Sequence, residues 1–195
     1  TLTGSVRTDI ATVEPLIGFG ELALSDHRSS QPTFEEVARV AADCHVAGLM
    51  SGKAGVLHCH LGDGARGLDM LRQILAETEI PARTLHPTHV NRRSGLFDEA
   101  LQLATEAGVT IDVTAFPPDF ATDDEVLAVD GVIRFLDSGL DPARLTVSSD
   151  GGGCLPHFRD GELVRMDFAT SGALADLLAD LLARGVPLAD ALPPF

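Results

Sequence analysis

Lysine is almost absent from this chain: Lys53 is the only one, and every other basic residue counted in its charge is arginine. Any step that needs an amine side chain must fall to that single position. Positive charge as a whole is scarce, with 14 Lys and Arg against 29 Asp and Glu and a formal charge of −15. Such a chain has no basic face with which to neutralise phosphates, which excludes nucleic acid as a partner. The three cysteines, Cys44, Cys59 and Cys154, lie far apart with no CxxC pattern. Neither a disulfide framework nor a cysteine-rich zinc knuckle is indicated, and a reducing, cytoplasmic compartment fits best. No apolar run reaches the roughly 20 residues of a membrane span, and the first residues lack the basic start and apolar core of a signal peptide. The chain opens without methionine and stops at Ala191-Leu-Pro-Pro-Phe195, as an excised segment would.

What is present is apolar residues, 45% of the 195, enough for the core of one domain of ordinary size. Runs of strand length alternate with amphipathic stretches of helix length about every 30 residues, the βαβ pattern. Strands are predicted at 17–24, 55–61, 84–90, 109–116 and 145–149, and helices at 33–49, 67–77, 95–107, 123–138 and 168–184. Thr33 before Phe34-Glu35-Glu36 reads as an N-cap with acids in the first turn. Phe97, Ala100, Leu101 and Ala104 recur at the spacing of one buried helix face, with Gly108 as the C-cap. No linker or low-complexity segment interrupts the series. Five βα units leave two architectures: an open doubly wound sheet, or an arc of a (β/α)8 TIM-type barrel, which at about 250 residues this chain is too short to close.

In parallel α/β folds chemistry gathers where strands meet their following loops. The ionisable residues there are Glu21, His60, His89 and Asp150, at or near the ends of the first, second, third and fifth strands. Two imidazoles and two carboxylates suit Zn²⁺ or Mn²⁺, with an open position for a water whose pKa falls toward about 7 on the metal. The set reads as the metal site of a hydrolase. In Gly55-Val-Leu-His-Cys-His-Leu-Gly-Asp63, His58 and His60 share one strand face, as a His-x-His metal pair would. Asp112 and Thr114 share a face of the fourth strand and are expected to fill an interior polar layer.

Seven segments then carry a resemblance: Thr3-Gly-Ser-Val6, Ser25-Asp-His-Arg-Ser29, Gly48-Leu-Met-Ser-Gly-Lys53, His60-Leu-Gly-Asp63, Pro87-Thr-His-Val-Asn-Arg92, Ile111-Asp-Val-Thr114 and Ser148-Ser-Asp-Gly151. Together, and in this order, they resemble the isoaspartyl dipeptidases, zinc peptidases of the amidohydrolase superfamily. The resemblance implies that residues 1–195 are one partial hydrolase-barrel domain that lacks the first strands, with their His-x-His pair, and the family's small β-rich domain. It implies two zinc ions in the whole protein, with manganese as an alternative, a small dipeptide as substrate, and a homo-oligomer. On this mapping His60 and His89 hold the more exposed metal, and Asp150 binds the other and acts as general base for a metal-activated hydroxide. Arg28 and Arg92 match residues that grip the dipeptide carboxylates, a task suited to a planar guanidinium. His58 becomes an interior packing or hydrogen-bonding residue. His27 is placed to orient Arg28, and His45, His86 and His157 take surface, packing or loop roles.

Three departures from the family stand out. Glu21 occupies the position of a carboxylated lysine that bridges the metals, and Lys53 cannot replace it because it precedes the next strand. Cys154 stands where the family has a substrate-binding serine, and a thiol is the weaker hydrogen-bond partner. The chain has no tyrosine, whereas the family polarises the scissile carbonyl with one. The expected activity is hydrolysis of the β-linked amide of isoaspartyl dipeptides. The alternatives are a cyclic-amide or N-acyl amidohydrolase with the same metal chemistry, or an inert fragment that acts as a scaffold.

Overall fold

Each predicted apolar run forms its strand: β1 is Gly18–Leu24, β2 Val56–Leu61, β3 Leu85–Thr88, β4 Ile111–Thr114 and β5 Leu145–Ser148. The structure, a computed structural model, describes residues 1–117, 124–159 and 162–195, and for 156–159 the backbone alone. The predicted helices follow as α2 (Phe34–Ser51), α3 (Asp69–Glu77), α4 (Ser94–Ala107), α5 (Ala128–Asp137) and α6 (Gly172–Ala183). Residue 123, the predicted start of the fourth helix, lies outside the described residues, and α5 begins at Ala128. Besides short 3-10 turns, four further elements among the described residues have no counterpart in the sequence reading: a short helix α1 (Val6–Thr12), the paired strands β6 (Cys154–Arg159) and β7 (Glu162–Phe168), and a final turn of helix α7 (Leu188–Ala191). The strand pair occupies the stretch just before α6, so that helix starts at Gly172 rather than at 168. Among the described residues no helix is long and apolar enough to cross a membrane. The result is mixed α/β, divided into two compact units, 1–89 with 98–111 and 90–97 with 112–195.

The first unit is built on the parallel sheet β1-β2-β3. Along β2 the odd residues Leu57, Cys59 and Leu61 are fully buried, while His58 and His60 take the opposite face and are only partly covered. Helix α2 contributes Val37, Ala41, Cys44 and Ala47 to the core. Its first turn is closed by a reciprocal capping box between Thr33 and Glu36, and Gly52 ends it in the left-handed conformation. A Cβ on Gly48 would lie 2.8 Å from the Gly55 Cα, so two glycines let α2 and the start of β2 touch backbone to backbone. Burial pushes the thiols of Cys44 and Cys59 up to about 12, which makes them inert packing groups.

Helix α1 is held from both ends. Ser5 accepts from the Thr8 N–H, and the Asp9 carboxylate accepts from the Leu2 N–H (2.6 Å), the Thr3 N–H (2.8 Å) and the Thr3 hydroxyl (2.6 Å). At the far end the Lys53 ammonium donates to the carbonyls of Ile10 (2.6 Å) and Val13 (2.7 Å). The one lysine therefore finishes a helix, capping the Ile10 carbonyl and adding a second donor to that of Val13, which also accepts from the Leu16 N–H.

In the second unit β4 neighbours β5, and β6 pairs with β7 antiparallel. The polar layer expected of Asp112 and Thr114 is present: buried Asp112 accepts from the hydroxyls of Thr146 and Ser148, both at 2.6 Å, and the Thr114 hydroxyl lies 3.4 Å from that of Ser148. Buried Asn91 exchanges two hydrogen bonds with Thr114, accepting from its N–H at 2.9 Å and donating to its carbonyl at 3.1 Å. It also donates to the Val126 carbonyl at 3.0 Å, which ties β4 to the approach of α5. Helix α5 buries Val129, Val132 and Phe135, and the Arg134 guanidinium lies 4.8 Å over the Phe97 ring, a cation–π distance. By contrast Leu163, Val164, Met166 and Phe168 of β7 are all exposed.

Helix α4 contributes to both units. Its buried face is Leu96, Phe97, Ala100, Leu103 and Ala104, so Leu103 takes the fully buried place expected of Leu101, which is half-buried. Gly108 ends it with a left-handed φ of 72° and donates to the Ala104 carbonyl.

Candidate metal centre

Three of the predicted ligands meet in the first unit. One donor atom each of Glu21, His60 and His89 can be chosen so that all lie within 4.8 Å of one another. The Glu21 Oε2 lies 3.0 Å from His60 Nδ1 and 3.9 Å from His89 Nε2, and the two imidazole rings stand edge to face with centroids 4.6 Å apart. Ligands held at about 2.0–2.2 Å by a tetrahedral zinc are roughly 3.3–3.5 Å apart, so these spacings fit a divalent ion with small adjustments. Exposure falls across the group from 41% at the Glu21 side chain through 18% at His60 to 1% at His89. One side of the cluster thus reaches solvent, as a site with an exchangeable position requires.

Local backbone features aim these side chains. Between Phe19 and Leu22 the register of β1 on β2 shifts: Phe19 pairs Leu57, yet Leu22 pairs Cys59, which leaves an extra residue on β1. Glu21 lies in this bulge, a device that re-aims a side chain beside a site. Gly20 makes it possible, since a Cβ there would stand 2.6 Å from the His58 Cβ and carbonyl oxygen. His89 follows β3 with a left-handed φ of 61°, a conformation costly for a residue other than glycine.

Charge is concentrated around the cluster. Glu21 is held well below the usual carboxylate range by the imidazole of His58 first, then those of His60 and His89. His60 is flanked on its other side by Asp26, whose Oδ2 lies 3.2 Å from His60 Nε2. Asp26 is buried and receives a bidentate grip from Arg28, with Nε on Oδ1 at 3.0 Å and Nη2 on Oδ2 at 2.7 Å. That guanidinium keeps the Asp26 carboxyl below its ordinary range. A carboxylate on the far nitrogen of a histidine is the arrangement that orients a metal-ligating imidazole. A second donor group, Asp26, His27 and Asp63, lies alongside, but Asp26 is already committed to Arg28.

In the second unit, Asp150 follows β5 with a left-handed φ of 49° and is half-buried. A Cβ on Gly153 would fall 2.6–2.7 Å from the Asp150 carboxyl atoms, so that glycine gives the carboxylate its room. Cys154 opens β6 and is exposed, and Arg92 lies in the short 3-10 turn Val90–Arg92.

No family model matches the chain. Among solved structures, a β-aspartyl dipeptidase from the thermophilic keratin-degrading Fervidobacterium islandicum AW-1, in complex with a β-Asp-Leu dipeptide, matches all of this chain at 43% identity with a TM-score of 0.88. A second structure of β-aspartyl dipeptidase from the same organism matches all of it at 40% identity with a TM-score of 0.86. This is an isoaspartyl dipeptidase-like chain, partial in length. It spans 50% and 48% of the two dipeptidases it matches.

In this dipeptidase-like chain several residues make contacts that the sequence reading does not contain. Arg28 turns inward to Asp26 and lies 3.5 Å from His60 Nε2, so its fork is filled by an internal carboxylate. His27 lies against Asp63 at 3.3 Å rather than against Arg28. His86, read as a surface or packing residue, stands 3.0 Å from His58, nitrogen to nitrogen. The side chain of His157 lies outside the described residues. Asp26 was missed as a partner of the site. Its only sequence signal is its place beside His27 and Arg28 at a strand end, since the pairing with His60 depends on tertiary contact.

Proposed function

We propose that residues 1–195 form part of an amidohydrolase-type (β/α)8 barrel, and that the whole protein hydrolyses the β-linked amide of isoaspartyl dipeptides. The convergence of Glu21 in β1, His60 near the end of β2 and His89 just after β3 is the observation that carries the reading. The match of all of this chain to about half the length of two β-aspartyl dipeptidase structures, one of them bound to β-Asp-Leu, supports it. Glu21, His60 and His89 would hold a zinc or manganese ion, and Asp150 would take part in binding a second. A divalent ion there supplies Lewis acidity and lowers the pKa of bound water toward about 7. Asp26 holds the His60 ring by its far nitrogen. Asp150 receives the proton of the attacking water at its carboxylate and delivers it to the leaving amine. Arg92 binds a substrate carboxylate, and Cys154 touches substrate where a serine would otherwise donate.

The filled fork of Arg28 favours attention to a second reading, an N-acyl or cyclic-amide substrate with one carboxylate fewer. The wild-type kcat/KM on β-Asp-Leu and on an N-acyl amino acid separates the two. A clear preference for β-Asp-Leu supports the dipeptidase, and an equal or better rate on the N-acyl substrate counts against it. The metal itself is tested by zinc content of the purified protein, with Glu21→Gln and His60→Ala expected to abolish it. A folded protein that takes up no zinc would sink the metallohydrolase reading in favour of an inert scaffold.

A further inference from the structure

We propose that His86 and His58 form a positioning pair that orients the Glu21 carboxylate toward the metal centre; the inference rests on the metal reading above. The two residues are register partners across β2 and β3. Their Nδ1 atoms are 3.0 Å apart and their rings meet edge to face, with centroids at 4.9 Å and an interplanar angle of 65°. Two ring nitrogens at that distance share one proton, so one donates and the other accepts.

The other side of His58 decides the direction. Its Nε2 lies 3.7 Å from Glu21 Oε1, within electrostatic reach of an acceptor-only oxygen. A neutral His58 protonated on Nδ1 would turn a lone pair toward that oxygen. With His86 donating from Nδ1, His58 accepts on Nδ1 and carries its hydrogen on Nε2, aimed at Glu21. His86 thereby sets the tautomer of its neighbour. The two Glu21 oxygens are divided by this arrangement: Oε1 faces His58, and Oε2 faces His60 and His89. Gly20 fixes the approach, because its bare Cα lets β1 close onto the backbone of His58. Groups that orient a ligand in this way alter metal affinity by about 10–100-fold.

The first test reads the metal-free protein at neutral pH by histidine ¹⁵N NMR. His58 is expected to carry its proton on Nε2; a proton on Nδ1 alone overturns the pair. The second test measures zinc affinity by chelator competition. His86→Leu is expected to release the tautomer preference of His58 and weaken zinc by at least about 10-fold. His86→Asn, whose amide nitrogen takes the place of Nδ1, restores it to within about threefold. In a His58→Gln background, where the amide supplies its own N–H to Glu21, His86→Leu costs less than about twofold. That background separates positioning from loss of packing, since a packing defect would persist in it. If His86→Leu leaves both readouts unchanged while Glu21→Gln abolishes zinc binding, the pair is refuted and the metal centre stands. If the wild-type protein binds no zinc, the metal reading falls, and the tautomer measurement alone decides the pair.

Discussion

Two carboxylates, one in each unit, are treated in opposite ways. In the second unit, buried Asp112 accepts from two neutral hydroxyls, each at 2.6 Å. In the first, Glu21 is met by three imidazoles, and beyond them Asp26 and Arg28 extend the series. Hydroxyls donate without changing charge, so they settle an acid into the fold. Imidazoles can instead give up their protons and turn lone pairs to a cation. Ionisable groups ranged against one another on a partly exposed strand face mark the place where the fold leaves room for a ligand.

The largest expected effect breaks this contrast outright. Glu21→Gln is predicted to lower zinc affinity by at least about 100-fold, measured by competition with a chelator, because it removes the charge at the centre of the donor group. Asp112→Asn is predicted to leave zinc affinity unchanged and to destabilise the fold by about 1–3 kcal/mol in urea unfolding, since it replaces an acceptor of two hydroxyls by a mixed donor and acceptor. If Asp112→Asn instead lowered zinc affinity as much as Glu21→Gln, the contrast between the units would be lost. Thr33→Ala is predicted to cost about 1 kcal/mol by the same measurement, through loss of the α2 cap.

Acid sensitivity sharpens the comparison within the first unit. Asp9 is held below its usual value of 3.8, chiefly by the Thr3 hydroxyl. A carboxyl with a depressed folded pKa contributes stability in full above the unfolded value, and that contribution fades as pH falls through the folded one. Amide protection factors in α1, corrected for the intrinsic exchange rate at each pH, should therefore fall below pH about 4, and Asp9→Asn should remove that dependence. The smallest effect belongs to the second unit: Leu163→Ser on exposed β7 is predicted to change stability by less than about 0.5 kcal/mol. A larger loss would mean that the hairpin is covered in solution.

What could be read from the sequence was whatever one segment decides by itself. The buried runs of β2 and β4, the Thr33 cap and the Gly108 stop are each local patterns, and each is where the residues put it. Helix α1 is seven residues long, too short to display a helical period, and it depends on a lysine forty residues further along. The strand pair was missed although Val164, Met166 and Phe168 alternate with Arg165 and Asp167 along β7, a period-2 signal whose end the helix predicted from 168 overran. Glu21 could be singled out by position, but its aim comes from a register slip that exists only once β1 is paired. The partnership of His58 and His86 likewise arises from strand register, which no spacing along one strand encodes.

Lys53 carries a last consequence. Its ammonium is committed to two carbonyls at the end of α1, so it should acylate slowly while that helix is docked and quickly once the helix lifts. With no other lysine to compete, the extent of ε-amine labelling under increasing denaturant would report the opening of one named segment. The scarcity of a single residue type gives the protein an intrinsic probe of its own local unfolding.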